Sequence, residues 1–539
     1  MNEDINRQNR YAANRNIVRR ARRELLERRR LDLLRNPRAD PTSSSSTSPS
    51  SSGSFEANCG DFSDASHTQS SEDSSSPHES QDNEDHDVPY GDPEDPEPSE
   101  SEQDDEEEED LGVFVANTLC RWTLNKGPSS MRKLDELLLD LSARFPNLPL
   151  SYKTLLQTPV QVPLTQLNNG STLWYNGIRV NLDALDLREY VARNQTIKID
   201  VNIDGLPISK TSPLKFWPIL GRLAGSLNPP FTIAVYFGRK DPTDVYEYLM
   251  DFALEVDMLQ REGYYINGNL FPVEVNNYIM DAPARALVKC SVQFNAVCSC
   301  DKCCVEGEYI DNRMTFTNLN ADLRTDESFL NQTQERHHMG RSPLEFIGTK
   351  MVSQFRLDPM HLVYLGVFKR LLTVWLHWNG AYKLHWTAVA AVNDRLNLIS
   401  STSTCPTDFN RPPRSLEFLK LYRAHEFRRM CHYDSILIFR DTFSKNVYEH
   451  FLLLYVALYI LASPFYVKSQ EMRDFAHNLL LNFVEHSVLI YGHAFVVYNV
   501  HALIHLVKEC EQHGSLDDFS AFPFETALMV LKKNFKVLL

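Results

Sequence analysis

The stretch Thr196-Ile197-Lys198-Ile199-Asp200-Val201-Asn202-Ile203-Asp204-Gly205 decides how this chain is read. Apolar residues take every second position from Ile197 to Ile203, the period of a strand with one buried face, and the run ends in Asp-Gly. Upstream, 172–180 reads as a strand and 182–191 as a helix. Downstream, 216–220 and 231–237 read as two apolar strands. Val245, Tyr248, Leu249, Phe252 and Leu259 give 241–262 the period of a helix. Segment 264–275 reads as a hairpin about Asn267-Gly268. Tyr278-Ile279-Met280 then runs into Asp281, and a helix is expected over 283–292.

The order β-β-β-α-β-α predicts an α/β fold with a ribonuclease H-like core, a mixed sheet with helices on its faces. One Asp ends the first strand and another sits just past the fourth, where open α/β sheets place reactive groups. The expected organisation is a basic Arg-rich segment at 1–38, a disordered acidic Ser/Asp/Glu-rich tract at 39–111 and a small helical module at 112–160. The core follows at 172–304, an all-helical insertion at 305–495, and a last unit at 496–539.

Composition supports this division. The formal charge is −16 over 539 residues, but 41–120 carries 23 acids and no Lys or Arg, while 1–40 carries twelve Arg against six acids. The rest is close to neutral, so the acidic balance belongs to one tract and does not exclude a nucleic-acid partner. That tract has too little apolar surface to offset the entropy of ordering. The Arg-rich start lacks the apolar core of a secretory signal, and the longest apolar run, 451–462, is too short to span a bilayer, so no membrane partner is expected. Five of the ten Cys fall between Cys290 and Cys304, which favours metal ligation or burial over a disulfide scaffold.

Three carboxylates carry the chemistry: Asp204, Asp281 and Glu525. Phosphodiester cleavage uses hard oxygen ligands that hold divalent cations such as Mg²⁺ or Mn²⁺. Cys300-Asp301-Lys302-Cys303 offers two thiolates suited to Zn²⁺, and His501-Ala502-Leu503-Ile504-His505 places two imidazoles one helical turn apart. Together they make a Cys₂His₂ set for a structural zinc, which would bring the helix bearing Glu525 towards the two Asp. Cys298 and Cys304 are competing ligands. Lys210, Arg222, Lys240, Arg285, Lys289, Lys532 and Lys533 are candidate phosphate contacts, and Trp217 and Trp375 read as core.

Asp204-Gly205-Leu206-Pro207 with Phe216-Trp217-Pro218-Ile219, Asp281-Ala282-Pro283-Ala284-Arg285, the Cys-x-x-Cys, Asp358-Pro359-Met360-His361-Leu362, and His501 to His505 with Phe524-Glu525 occur in that order. This series resembles the CACTA-type DDE transposases, closest to invertebrate transposase-domain-containing proteins, and its spacing is also similar to the catalytic core of the V(D)J recombinase. The resemblance covers about 112–539. It implies a DNA transposase with Asp204, Asp281 and Glu525 as the metal-binding catalytic triad. It also implies Cys300, Cys303, His501 and His505 as zinc ligands, and Asp358 and His361 as secondary site residues. DNA is the implied partner, the nucleus the implied location, and self-association into a homo-oligomer an open expectation. The alternative reading is an element-derived DNA- or chromatin-binding protein that keeps the fold without catalysis. No separate zinc finger or helix-turn-helix for reading DNA ends is evident.

Overall fold

A computed structural model describes residues 111–126, 131–158, 162–209, 212–401, 405–406, 408–409 and 411–538. The basic segment expected at 1–38, all of the acidic tract except Leu111, and Lys210 lie outside the described residues. Helices α1 (Leu111–Lys126), α2 (Met131–Ser142) and α3 (Tyr152–Leu155) form a small module closed around Leu134, Leu138, Leu148 and Leu155.

The next elements are β1 (Leu164–Gln166), β2 (Thr172–Tyr175), α4 (Ile178–Asp183), α5 (Arg188–Asn194), β3 (Ile197–Ile203), β4 (Leu206–Pro207), β5 (Lys215–Leu223) and β6 (Phe231–Gly238). Then come α6 (Val245–Glu262), β7 (Tyr264–Ile266), β8 (Asn269–Phe271), β9 (Val273–Met280) and α7 (Ala282–Lys289). The β7–β8 turn has Asn267 and Gly268 at φ 50° and 83°, the paired left-handed conformation that an Asn-Gly hairpin requires.

The strand expected at 172–180 stops at Tyr175, and the helix expected at 182–191 is two short ones. The cause is Glu255 on α6: its carboxylate accepts the amides of Ile178 (2.7 Å) and Arg179 (2.9 Å) and so starts a helix inside the apolar run. The helix expected to reach 292 ends at Lys289, where Cys290 turns to φ 53°.

Beyond α7 the chain forms β10 (Glu308–Ile310), β11 (Arg313–Thr315), α8 (Asp326–Leu330) and β12 (Phe355–Leu357). The region expected to be all-helical from 305 therefore holds three strands, and β12 belongs to the central sheet. That sheet runs β1-β2-β6-β5-β3-β9-β12, with β4 alongside β5. Neighbours from β1 to β3 are antiparallel, whereas β9 is parallel to β3 and β12 is parallel to β9. The chain is thus an α/β protein with a mixed central sheet. Ile197, Ile199, Val201 and Ile203 face a core shared with α6, while Leu220, Ile279 and Leu357 on the opposite face pack into the helical region.

The helical region starts as a π-helix, Met360–Phe368, which continues as α9 (Lys369–His377). Gly366 suits this wide turn: a Cβ there would lie 2.8 Å from the carbonyl oxygen of His361 and 2.6 Å from Asn499 Nδ2. There follow α10 (Trp386–Ser401), α11 (Ala424–Arg429), α12 (Ser435–Ile438), α13 (Lys445–Ala462), α14 (Gln470–Tyr491), α15 (Tyr498–Ala502), α16 (Leu506–His513) and α17 (Phe522–Leu538). None of the helices among the described residues is long and apolar enough to cross a membrane.

Trp375 centres this region, with its ring 5.3 Å from Phe439, 4.6 Å from Phe443 and 5.8 Å from Phe451, and with Nε1 donating to Tyr491 Oη at 3.2 Å. Replacing Trp375 by Ala removes those contacts and leaves a cavity. The expected loss is about 3–5 kcal/mol, read as a lower urea midpoint at unchanged slope.

Candidate functional site

The three parallel strands β3, β9 and β12 are adjacent, and each runs directly into an Asp. Met280 pairs with Leu357, and two residues before the ends of β3 and β9 Val201 pairs with Tyr278. Asp204, Asp281 and Asp358 therefore leave the same edge of the sheet in near register. Period-two patterning exposed the first, and the apolar run Tyr278-Ile279-Met280 the second. The third was not read as a strand end, because β12 is three residues long with Arg356 in the middle.

Each acid has a different local anchor. Asp204 accepts the amide of Gly205 at 2.6 Å. Asp281 is the N-cap of α7, accepting the amide of Ala284 at 2.8 Å with Pro283 in the first turn. Asp358 is enclosed. One oxygen accepts the amides of Met360 (3.1 Å) and Ala521 (2.8 Å), and the other accepts the amide of His361 (3.1 Å) and the Nδ1–H of His361 (2.6 Å). With those bonds made, Asp358 acts as a brace rather than an open ligand. Its bond to Ala521 fixes the start of α17, whose first turn carries Glu525.

That placement brings Glu525 to the strand ends. Glu525 and Asp204 share a hydrogen bond, and His361 Nε2 lies 3.8 Å from Glu525 Oε1. Burial, with the neighbouring charges of Asp281 and Glu525, pushes Asp204 up to about 8. Glu525 is raised as well, chiefly by burial, with Asp358 and Asp281 adding to it and His361 opposing it. At His361 burial favours the neutral ring, but the hydrogen bond it donates to Asp358 and the charges of Asp358, Asp281 and Asp204 raise it to about 9. The site is a crowded acidic pocket facing one imidazolium. Glu525 remains open to solvent, with 36% of its side chain exposed.

The second constellation is the buried set Cys300, Cys303, His501 and His505. Among the described residues it is the group whose ligand atoms all lie within 4.8 Å of one another. Cys303 Sγ is 3.3 Å from His501 Nε2, and Cys300 Sγ is 3.6 Å from His505 Nε2. Tetrahedral bonds of zinc to sulfur and nitrogen imply a separation of roughly 3.6 Å, so the four can hold a structural zinc. Burial opposes ionisation of Cys300, but hydrogen bonds from Cys303 and the two imidazoles hold its thiol well below the usual range. The amide of Lys302 points at Cys300 Sγ (3.5 Å), and Arg324 braces the turn through the carbonyls of Cys300 (3.3 Å) and Cys303 (3.2 Å). His501 Nδ1 is buried without a hydrogen-bond partner, so the usual outer acceptor is missing there. Cys298 is not a ligand; its thiol faces Glu306 at 3.8 Å.

Around this cluster lies an ion network that the sequence did not disclose. Asp301, between the two Cys, takes Lys289 Nζ at 2.6 Å, Arg285 Nε at 3.1 Å and the Tyr498 hydroxyl at 2.7 Å. Glu509, one turn past His505, takes Lys302 Nζ at 2.6 Å and Arg356 at 3.1 Å. Arg285 and Lys289 are thus interior counter-charges and not the phosphate contacts expected of them. Arg222 is likewise buried against Asp200 at 3.2 Å, and Lys532 bonds the carbonyl of Pro207. Lys240 and Lys533 are exposed. Trp217 and Trp375 are buried, as expected of core residues.

A scan against protein-family models gives no match for this chain, and a search of curated proteins gives none either.

Two outcomes follow from this geometry. Metal analysis of the purified protein should give about one zinc per chain, lost in Cys303→Ser together with thermal stability; a wild type free of zinc after metal-replete expression removes the assignment. Asp301→Asn leaves Lys289 and Arg285 buried without a full counter-charge. It should lower the unfolding free energy by about 3–5 kcal/mol in denaturant titration.

Proposed function

We propose that this chain is a DDE-type DNA transposase that cleaves phosphodiester bonds at element ends and transfers the freed strand, acting in the nucleus. The observation that carries the reading is the meeting of Glu525 with Asp204, more than three hundred residues apart, at the sheet edge that also carries Asp281. The order β6-β5-β3-β9-β12, three antiparallel strands continued by two parallel ones with α6 crossing between, supports a ribonuclease H-like core. Acids at the ends of the first and fourth strands of that core, and on a late helix, match the arrangement that the sequence resemblance implies.

Divalent cations, Mg²⁺ or Mn²⁺, held by Asp204, Asp281 and Glu525 would activate the attacking oxygen and stabilise the leaving one. The residues suit such ions: they are hard oxygen donors crowded enough to lift Asp204, with His361 as the charge that opposes this among the described residues. The chain's own part is positional. Asp281 is locked as a helix cap. Asp358 fixes both the start of α17 and the ring of His361. His361 supplies a proton-bearing nitrogen beside Glu525, where charge on a departing or attacking oxygen would develop.

One observation favours a catalytically silent DNA- or chromatin-binding protein instead. The Cys/His group, and not the acidic group, closes to within 4.8 Å among the described residues. Nicking of supercoiled plasmid with Mg²⁺ or Mn²⁺ separates the two. Wild type should convert it to open circles, and Asp281→Ala and Glu525→Gln, both still loaded with zinc, should not. Equal rates in wild type and Asp281→Ala would remove the triad from the chemistry.

A further inference from the structure

Away from the acidic pocket, two guanidinium groups share one indole. Arg313 Cζ lies 4.5 Å from the ring centroid of Trp378, and Arg370 Cζ lies 5.3 Å from the same centroid and 5.2 Å from that of Phe495. Arg370 is fixed: its Nε donates to the carbonyl of Phe495 at 2.9 Å and its Nη2 to that of Ala494 at 2.6 Å. Arg313 sits on the β10–β11 hairpin, which is tied to the same loop where the amide of Phe316 donates to the carbonyl of Val496 at 2.8 Å. Among the described residues neither guanidinium is paired with a carboxylate. In contrast, Arg285, Arg356, Arg414 and Arg429 each have one.

Two half-buried, like-charged groups side by side repel each other. Burial and the charge of Arg313 together pull Arg370 down to about 10. Stacking on the indole offsets part of this. A guanidinium has five N–H donors. Arg370 commits two of them to carbonyls, and the side chain of Arg313 commits none to a partner among the described residues. An anion that reached both groups would neutralise two cations and complete their hydrogen bonding. A tetrahedral oxyanion matches a guanidinium pair better than a single carboxylate does.

We propose that Arg313, Arg370 and Trp378 form a binding site for the phosphodiester backbone of DNA. This rests on the reading of the chain as a DNA-acting protein. The helix that begins at Met360 and holds His361 in its first turn runs unbroken into α9, which carries Arg370. Residues 121–539 are close to neutral in net charge, so phosphate contacts there have to come from local groups of this kind.

The test is binding of a fluorescein-labelled duplex to the full chain, by anisotropy without divalent ions, across roughly 50–200 mM salt. Arg313→Ala removes a side chain with no polar partner to lose, so its thermal midpoint should match the wild type. It should weaken binding about fivefold and lower the slope of log Kd against log salt by about one. Arg313→Lys should recover part of the affinity. Lys445→Ala, which removes an exposed charge 83% open to solvent on α13, should bind as wild type does. An unchanged affinity and slope in Arg313→Ala, or an equal loss in Lys445→Ala, overturns the site. So does a wild type that shows no salt-dependent binding. Nicking that depends on Asp281 is a separate readout. If nicking persists while Arg313→Ala binds normally, this inference fails alone; if the salt slope changes and no nicking occurs, the catalytic reading fails alone.

Discussion

Two buried carboxylates, Asp301 and Glu509, join parts of the chain that are far apart in sequence. Asp301 gathers Lys289, Arg285 and Tyr498, and Glu509 gathers Lys302, Arg356 and the amide of Leu357. Removing one partner from such a pair leaves a charge in the interior, which is strongly unfavourable. The network therefore tolerates one arrangement. In it the Cys-x-x-Cys turn, α7, β12 and α16 are interlocked, with the Cys/His cluster at the junction. A metal ion there would tie the Cys-x-x-Cys turn to α15 and to the start of α16, elements that the hydrogen bond of Asp301 with Tyr498 and the ion pair of Lys302 with Glu509 already align.

The acidic pocket inherits its geometry from that junction. Asp281 begins α7, and α7 is held by Arg285, which also donates to the carbonyl of Met280 at 2.7 Å. Asp358 follows β12, whose central Arg356 is clamped by Glu509. Asp358 in turn holds Ala521 and so the first turn of α17. A shift at the Cys/His cluster would thus reach Asp281 along one route and Glu525 along the other. Each step is a hydrogen bond or ion pair to a named atom, so the coupling has a physical path and needs no large motion.

How much of this was legible in the sequence depended on range. Patterns that act within a few residues were readable: the alternation of Ile197 to Ile203, the Asn267-Gly268 turn, and the pairing of Cys-x-x-Cys with two His one turn apart. Asp204 and Asp281 came from the same source, since a strand end is a local event. β12 was hidden because its sheet pairing depends on β9, not on an apolar run of its own, and its central residue is charged. The split of 178–194 into two helices was hidden because the carboxylate that starts the first comes from Glu255. Arg285 and Lys289 misled for the same reason. A cation in a sequence looks available until the acid that neutralises it, here Asp301, is placed beside it. Arg313 and Arg370 gave no signal at all, since what marks them is the absence of such an acid among the described residues around them.

The electrostatics of the pocket set what it can accept. Asp204, Asp281 and Glu525 are drawn together by folding, and the groups that bring them there are themselves acids or amides. Asp358 is committed to orienting His361, which leaves that one ring beside three crowded acidic groups among the described residues. A polyanion approaching that pocket would be repelled unless cations stood between. On the proposed reading, divalent ions supply that layer at the reacting bond. They cannot supply it along the flanking duplex, where ions are mobile and screened within about 8–10 Å. On the same proposal, the pair Arg313 and Arg370 would answer that second need, adding affinity without adding positive charge to the pocket in which the metal ions would have to bind.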